Sequence, residues 1–353
     1  MNEIIRQDLE YISNSGIEWG RFKDKTVLIS GANGFIPSYL VESLLFVNNL
    51  LNQNTRVIAL VRNKEKAEKR FRNYLNNHLL EILVQDVCQP IDLNIKVDYI
   101  IHAASQASPK YYSIDPVGTL NANIFGTINL LSLAVKSSAQ SCLFFSSSEV
   151  YGEVEEDFIP IKEDGYGYLN PTSVRSCYAE SKRMGETICV SWAHQYGVDV
   201  KIVRPFHTYG PMMDLTDGRV FADFVADIVL NRDIIMKSDG TAVRAYCYLS
   251  DAIIAYFLVL LKGAQAESYN IGNPQGVCSV IDLANKLVSS FPEKKLKVIR
   301  KENMDSNYIP SKANKVIPNI DKVTSLGWKP KVSIEEGFTR TVISYESNLD
   351  LTF

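Results

Sequence analysis

Residues 26–40 read TVLISGANGFIPSYL. An apolar, β-branched run, Thr26–Ile29, meets two glycines three apart, Gly31 and Gly34, and passes into a stretch of helical composition. Few local patterns restrict a chain more. A strand that is apolar throughout must be covered on both faces, and the helix after so short a turn starts at the strand's carboxyl end. Gly31 suits the tight turn, and Gly34 lets backbone N–H groups approach an anion at the positive end of the helix. The pattern predicts the docking site of a dinucleotide diphosphate, although an ordinary strand–helix turn could carry the same pair of glycines. Pro37 stands where a third glycine is expected. In the first helical turn a missing N–H is tolerated, so the proline should shift helix packing without removing the phosphate donors.

The rest of the chain repeats the alternation. Strands are expected at Thr26–Ser30, Arg56–Val61, Glu81–Asp86, Tyr99–Ala104, Cys142–Ser147 and Val198–Arg204, with helices over 37–51, 64–76, 117–137 and 176–196. Such a chain builds an α/β fold around a doubly wound parallel sheet with right-handed crossovers. After about residue 205 the rhythm breaks into shorter pieces, read as a smaller C-terminal substrate-binding lobe over the carboxyl edge of the sheet. Ile4, Ile5, Leu9 and Ile12 recur at helical spacing, which predicts an N-terminal helical extension over 1–20. The division expected is 1–20, then a nucleotide-binding domain over 21–204, then the lobe over 205–353, with about 240–262 returning to the first domain.

With 353 residues, 46% of them hydrophobic, the chain can bury a large core. Its formal net charge of −3 offers no basic excess for nucleic acid. The longest apolar run, Ala252–Leu261, is too short to span a membrane. The six cysteines include no CxxC pair and the start is unlike a secretion signal, so a cytoplasmic protein is expected. The four histidines are scattered, and no metal site is expected.

Chemistry is concentrated at three places. Tyr178 and Lys182 are four residues apart, hence on one helix face, where a cation would lower the tyrosine pKa and suit it to act as a general base. Ser146, Ser147, Ser148 and Glu149 follow the fifth strand, at the edge where such sheets bind ligands, although serines there could simply cap a turn. Arg62 ends the second strand where an acidic residue would hold the ribose of NAD. It suits a 2′-phosphate or stacking on adenine, or belongs to a solvated charge run. Asp86 and the Val87 N–H, closing the third strand, could meet adenine.

These segments together resemble the extended short-chain dehydrogenase/reductase family, the nucleotide-sugar epimerases, dehydratases and decarboxylases. The resemblance runs from about residue 24 to 345. It rests on Gly31-x-x-Gly34-Phe35-Ile36, His102-Ala103-Ala104, Asn123 in N-x-x-G-T, Ser147 to Tyr151, Tyr178-x-x-x-Lys182, Arg204-Pro205, Tyr209-Gly210-Pro211 and Leu326-Gly327-Trp328-x-Pro330. It implies a Rossmann-type fold and a homodimer formed by a four-helix bundle of the helices near 117–137 and 176–196. The stripe Ile124, Ile128, Leu131 and Val135 could serve that bundle or face the sheet. It implies bound NAD+, with NADP+ open because of Arg62, held by Gly31, Asn33, Gly34, Phe35, Ile36, Asp86, Val87, Ala103, Ala104, Ser105, Tyr178, Lys182 and Pro205.

The resemblance also implies a reaction through a transient 4-keto sugar. Tyr178, helped by Lys182, takes the 4-hydroxyl proton, Ser147 hydrogen-bonds the 4-oxygen, and Asn123 places Lys182 through a backbone or water link. Glu149 beside Ser148 suits decarboxylation or 4,6-dehydration better than 4-epimerisation, and a 4-keto reductase would be argued against by cofactor retained through purification. The stretches ASPKYY (107–112), SSSEVYG (146–152), NPTSVRSCYAESKR (170–183), DGRV (217–220) and VRAYCYLSDA (243–252) are most similar to the decarboxylases of NDP-hexuronates such as UDP-glucuronate. Ser148-Glu149 and Arg62 are shared with NADP-dependent 4,6-dehydratases. Ser108, Glu149, Arg175, His207, Arg219 and Arg244 are the implied substrate contacts. Two positions depart from the family pattern: His207 replaces an asparagine, as a hydrogen-bonding substitute or a new acid, and Met212 replaces an arginine.

Overall fold

The structure, a computed structural model, describes residues 1–301 and 314–347. The first half runs α1 (Glu3–Ser13), β1 (Thr26–Ser30), α2 (Phe35–Leu51), β2 (Arg56–Val61), α3 (Lys64–Arg70), β3 (Leu80–Val84), β4 (Tyr99–His102), α4 (Lys110–Ile114), α5 (Pro116–Ser137), β5 (Ser141–Phe145), α6 (Ser176–Tyr196) and β6 (Val200–Pro205). The second runs β7 (His207–Tyr209), α7 (Val220–Val229), β8 (Ile234–Met236), β9 (Val243–Tyr248), α8 (Leu249–Lys262), β10 (Ser268–Ile271), β11 (Val277–Ser279), α9 (Val280–Ser290), β12 (Val298–Arg300), β13 (Lys315–Val316), α10 (Asp321–Thr324) and α11 (Ile334–Glu346).

Seven parallel strands form the main sheet in the order β10-β6-β5-β4-β1-β2-β3. The expected α/β architecture is therefore present. The chain leaves β1 toward β2 and β3, then crosses to β4 on the other side. The two directions part at the carboxyl ends of β1 and β4, where doubly wound sheets hold ligands. Alternate side chains cover the two faces. Val27, Ile29, Ala59, Ile101 and Phe145 pack with α1, α2 and α8. Leu28, Ile58, Leu60, Ile100 and Phe144 join the core that contains Leu130, Leu131 and Ala134 of α5 and Ile188 and Cys189 of α6.

Several boundaries differ from the sequence expectation. β3 stops at Val84, so Asp86 and Val87 belong to the loop after it. β5 stops at Phe145, and Ser147 instead caps a single 3₁₀ turn, Ser148–Tyr151. The 64–76 helix shortens to α3. A seventh strand, β10, pairs with β6 in the main sheet, and α8 and Trp328 are buried in the same core. The N-terminal segment supplies α1, whose Ile5, Leu9 and Ile12 are buried on the face away from α5 and α6. Its buried Asp8 carboxylate accepts from Arg340 Nη2 (2.7 Å) and the Tyr248 hydroxyl (2.9 Å), tying α1 to α11 and β9.

One residue after β6, β7 opens a small sheet in which β9 pairs with β7, β11 and β13. Its core includes Tyr209, Phe221, Tyr246 and Phe338. The lobe thus grows from the carboxyl edge of the main sheet. Among the described residues no helix is long and apolar enough to cross a membrane.

Candidate active site

At the first turn Gly31 has φ +65°, and a Cβ there would lie 2.7 Å from Ala104 Cα. Only glycine allows β1 to turn this close to the chain leaving β4. Gly34 is the N-cap of α2, its N–H is bonded to the Gly31 carbonyl at 2.8 Å, and no side chain caps the helix. The first-turn donors after it are the backbone groups that a diphosphate could use. Pro37 is the third residue of α2 and is buried, so it packs in the first turn as expected and removes only a donor that has no intrahelical acceptor. From α3, Arg70 reaches the Phe35 carbonyl (3.4 Å) and the Ser38 hydroxyl, which fixes the start of the helix.

Ser30 links this turn to the next strand. Its hydroxyl oxygen accepts the N–H groups of Ala103 and Ala104, both at 3.1 Å, and lies 2.8 Å from His102 Nδ1. With both lone pairs used, the hydroxyl proton goes to Nδ1, which assigns the ring proton to Nε2. Burial pushes the His102 pKa down to about 3, so the ring is neutral. The Ser105 hydroxyl nearby is shielded from solvent and has no protein partner among the described residues. Arg62 is exposed at the end of β2. Asp86 Oδ1 accepts from the Cys88 N–H at 2.9 Å, the buried Val87 offers its carbonyl to Asn129, and Pro205 ends β6. The uncapped helix start, the close approach at Gly31 and the solitary Ser105 hydroxyl fit a dinucleotide along this edge.

Tyr178 and Lys182 both lie on α6 and are buried. Lys182 Nζ donates to the Phe145 carbonyl at 2.6 Å, at the end of β5. Asn123 of α5 donates to the Ser181 hydroxyl at 2.9 Å, and its Oδ1 is buried without a partner among the described residues. Its tie to α6 thus runs through Ser181. The expected depression of the Tyr178 pKa is not observed. Burial pushes the phenol up to about 12, the Ser147 hydroxyl and Arg219 pull it down, and Glu149 pushes it up. Lys182 is itself pushed down to about 7 by burial. Position on one helix face did not anticipate that burial acts on both groups and is the largest cause of each shift.

Beyond the Ser147 cap, the Glu149 carboxylate forms a two-pronged pair with Arg175, at 2.9 and 3.3 Å, with the partly buried Ser148 beside it. The Arg175 guanidinium lies 5.7 Å from the centroid of Tyr112, and Tyr112 stacks on Tyr178 at 5.1 Å with planes 16° apart. Sequence reasoning left Tyr112 inside the ASPKYY stretch without a role; nothing in spacing links it to Tyr178.

The lobe contributes the other wall. Ser108 donates to the Asp217 carbonyl at 2.6 Å, and Asp217 pairs with Arg219 at 3.2 Å. Arg219 acts electrostatically on Tyr112 and Tyr178 on one side and on His207 on the other, so it joins the two halves of the site. His207 is pushed down to about 3 by burial and by the charges of Arg244 and Arg219. Such a ring stays neutral and fits the hydrogen-bonding substitute better than a new acid. Arg244, on β9, donates to the carbonyls of Val243 and Asn314. Behind the 146–151 segment, the buried Arg204 grips Glu186 with two bonds (2.8 and 2.6 Å) and the Tyr151 hydroxyl at 2.9 Å, while Ser146 donates to Glu186. This network holds the Ser147 turn against β6 and α6.

A family model described as the NAD dependent epimerase/dehydratase family matches residues 27–272. The chain is 35% identical over 313 residues to UDP-glucuronic acid decarboxylase 6 of Arabidopsis thaliana, covering 88% of this chain and 86% of that protein. It is 33% identical over 330 residues to UDP-glucuronic acid decarboxylase 1 of Xenopus tropicalis, covering 92% and 73%. Among solved structures, UDP-glucose 4-epimerase of Thermotoga maritima superposes with a TM-score of 0.77 at 24% identity, covering 92% of this chain and 99% of that one. The dTDP-glucose 4,6-dehydratase of Bacillus anthracis, in complex with NAD, gives 0.73 at 20% identity, covering 92% and 98%. At that identity the two structures speak for the fold.

Proposed function

The chain belongs to the NAD dependent epimerase/dehydratase family, and from that premise we propose that it decarboxylates an NDP-hexuronate, UDP-glucuronate first, through a transient 4-keto sugar. The observation that carries the reading is the Glu149–Arg175 pair placed one ring away from Tyr178, through Tyr112. A carboxylate and a guanidinium there suit a sugar whose C6 is itself a carboxylate, which is the substrate named for the curated relatives.

Bound NAD+ supplies reversible hydride acceptance at sugar C4 and a positive charge that lowers the Tyr178 pKa. The phenolate of Tyr178 takes the C4 hydroxyl proton, and Ser147 donates a hydrogen bond to O4. Once C4 is a ketone, the C5–C6 bond breaks, CO₂ leaves and the electron pair passes to O4 as an enolate. The hydroxyls of Ser147 and Tyr178 face that oxyanion, a role for fixed donors near developing charge. A proton from solvent adds at C5, and as the hydride returns to C4 Tyr178 gives its proton back to O4. Lys182, anchored on Phe145, fixes the α6 side of Tyr178. Arg219 and Arg244 hold the diphosphate, Ser108 orders the Asp217–Arg219 loop, and His207 contacts the nucleotide sugar as a neutral ring.

NAD+ is the assigned cofactor, and Arg62 makes NADP+ its competitor. The main sheet, with α8 of the 240–262 segment packed on it and β10 (Ser268–Ile271) added at its edge, holds the dinucleotide, while 205–353 mainly holds the sugar nucleotide. We further propose a homodimer through α5 and α6, where Val117, Phe125 and Val135 of one helix and Met184 and Val190 of the other are exposed. The six cysteines carry no disulfide, which suits the cytoplasm.

A second reading, 4,6-dehydration of a neutral NDP-hexose, draws on Ser148-Glu149 and Arg62. Incubation with UDP-glucuronate, GDP-mannose, dTDP-glucose and CDP-glucose, followed by product mass, separates the two. The proposal expects loss of CO₂ from UDP-glucuronate and none with Tyr178→Phe. Loss of water from a neutral hexose with UDP-glucuronate untouched would establish the second reading instead.

A further inference from the structure

The pairing of Glu149 with Arg175 has a chemical consequence for selectivity. Two N–H groups of the guanidinium meet both oxygens of the carboxylate, a planar, charge-assisted match. The side chains are only partly sheltered, 19% exposed for Arg175 and 34% for Glu149, so an incoming ligand can reach the pair. Only the Tyr112 ring separates the pair from Tyr178, the residue that would meet the reacting end of the sugar. A second carboxylate entering here meets like charge from Glu149 and must share or take the guanidinium.

We propose that Arg175 selects carboxylated sugars by exchanging partners: it holds Glu149 in the free enzyme and the C6 carboxylate of the sugar in the complex. This rests on the decarboxylase reading above. A neutral C6 hydroxymethyl offers a single hydroxyl and cannot replace a two-pronged ionic contact, so a hexose leaves the pair closed. A hexuronate presents the same planar group as Glu149 and opens it. Recognition of the carboxylate then frees Glu149 beside C5 only when the group to be removed is present. Tyr112 is the platform for the exchange, since it lies under the Arg175 guanidinium and stacks on Tyr178.

The test measures Kd for UDP-glucuronate, UDP-glucose and UDP by calorimetry, with NAD+ bound. A Tyr178→Phe background prevents turnover. The exchange expects Glu149→Gln to tighten UDP-glucuronate by about tenfold relative to UDP-glucose, because the competing carboxylate is gone. Arg175→Gln should bring UDP-glucuronate to the affinity of UDP-glucose, and Arg175→Lys should retain only part of the preference. Unchanged UDP affinity in each variant shows that the nucleotide end is intact. A background protein that prefers UDP-glucuronate, combined with a Glu149→Gln ratio equal to that background, overturns the exchange alone. A background protein with no preference for UDP-glucuronate overturns the decarboxylase reading together with it.

Discussion

Lys182 is bonded through Nζ to the carbonyl oxygen of Phe145, the residue that ends β5, at 2.6 Å. A buried ammonium on the strand end that precedes Ser147 costs stability in exchange for a fixed catalytic helix. Its pKa in the fold is about 7, below the 10.5 of the unfolded chain. The folded protein therefore releases this proton first, and stability should rise between about pH 7 and 10.5, with the full penalty present below 7. Lys182→Met removes the penalty. We expect it to raise the melting temperature most at pH 6–7, by a gain on the order of a few kcal/mol that shrinks toward pH 10. Thermal melts across that range check both the sign and the window, and activity should be lost in the same variant.

Gly31→Ala should loosen the cofactor turn. The residue has φ +65°, and the new Cβ would press on the Ala104 backbone at 2.7 Å. Strain of this kind costs about 1–3 kcal/mol. The expected result is a lower melting temperature together with loss of co-purifying dinucleotide, read from the absorbance of the perchloric-acid extract. Full cofactor occupancy in a stable variant would count against the placement of the diphosphate at this turn.

Arg204→Met should be among the more damaging single changes outside the reacting groups. It removes both bonds to Glu186 and leaves that carboxylate buried with Ser146 as a remaining partner. Breaking one side of a buried pair costs about 3–5 kcal/mol. Denaturant unfolding measures the loss, and Arg204→Met combined with Glu186→Met should recover part of it.

Phe125→Asp tests the assembly. Phe125 is 52% exposed on α5, away from the core that α5 and α6 share with the sheet. If these helices pair across a two-fold axis, a charge here should convert the dimer to a monomer by light scattering while the secondary structure is retained. A wild-type monomer, or a variant of unchanged mass, would remove the bundle as the interface.

Much of the fold was legible because fully covered parallel strands leave an unmistakable apolar trace. Thr26–Ser30 and Arg56–Val61 form strands over the expected residues. Strand ends were less legible where polar residues follow directly: Ser147 and Asp86 read as strand termini but lie in the turns beyond. The four-residue β10 carries too little pattern to announce itself, and its partner β6 is remote in the chain. The site shows the same limit. Tyr178 and Lys182 could be paired by helical spacing, yet their burial, and hence the direction of both pKa shifts, depends on residues far away in sequence. Tyr112 against Tyr178, Arg175 against Glu149 and Asp217 against Arg219 are contacts of the loops, set by the packing of the lobe on the sheet.

The central claim is that C4 is oxidised and restored within one active-site visit while C6 leaves as CO₂. UDP-glucuronate deuterated at C4, incubated with the protein and NAD+, tests it directly by NMR and mass spectrometry of the product. The account expects a UDP-pentose that keeps the deuterium at C4, one CO₂ released and no net reduction of cofactor. A product without deuterium at C4, stoichiometric reduced cofactor, or a hexose that keeps its carboxylate would contradict it.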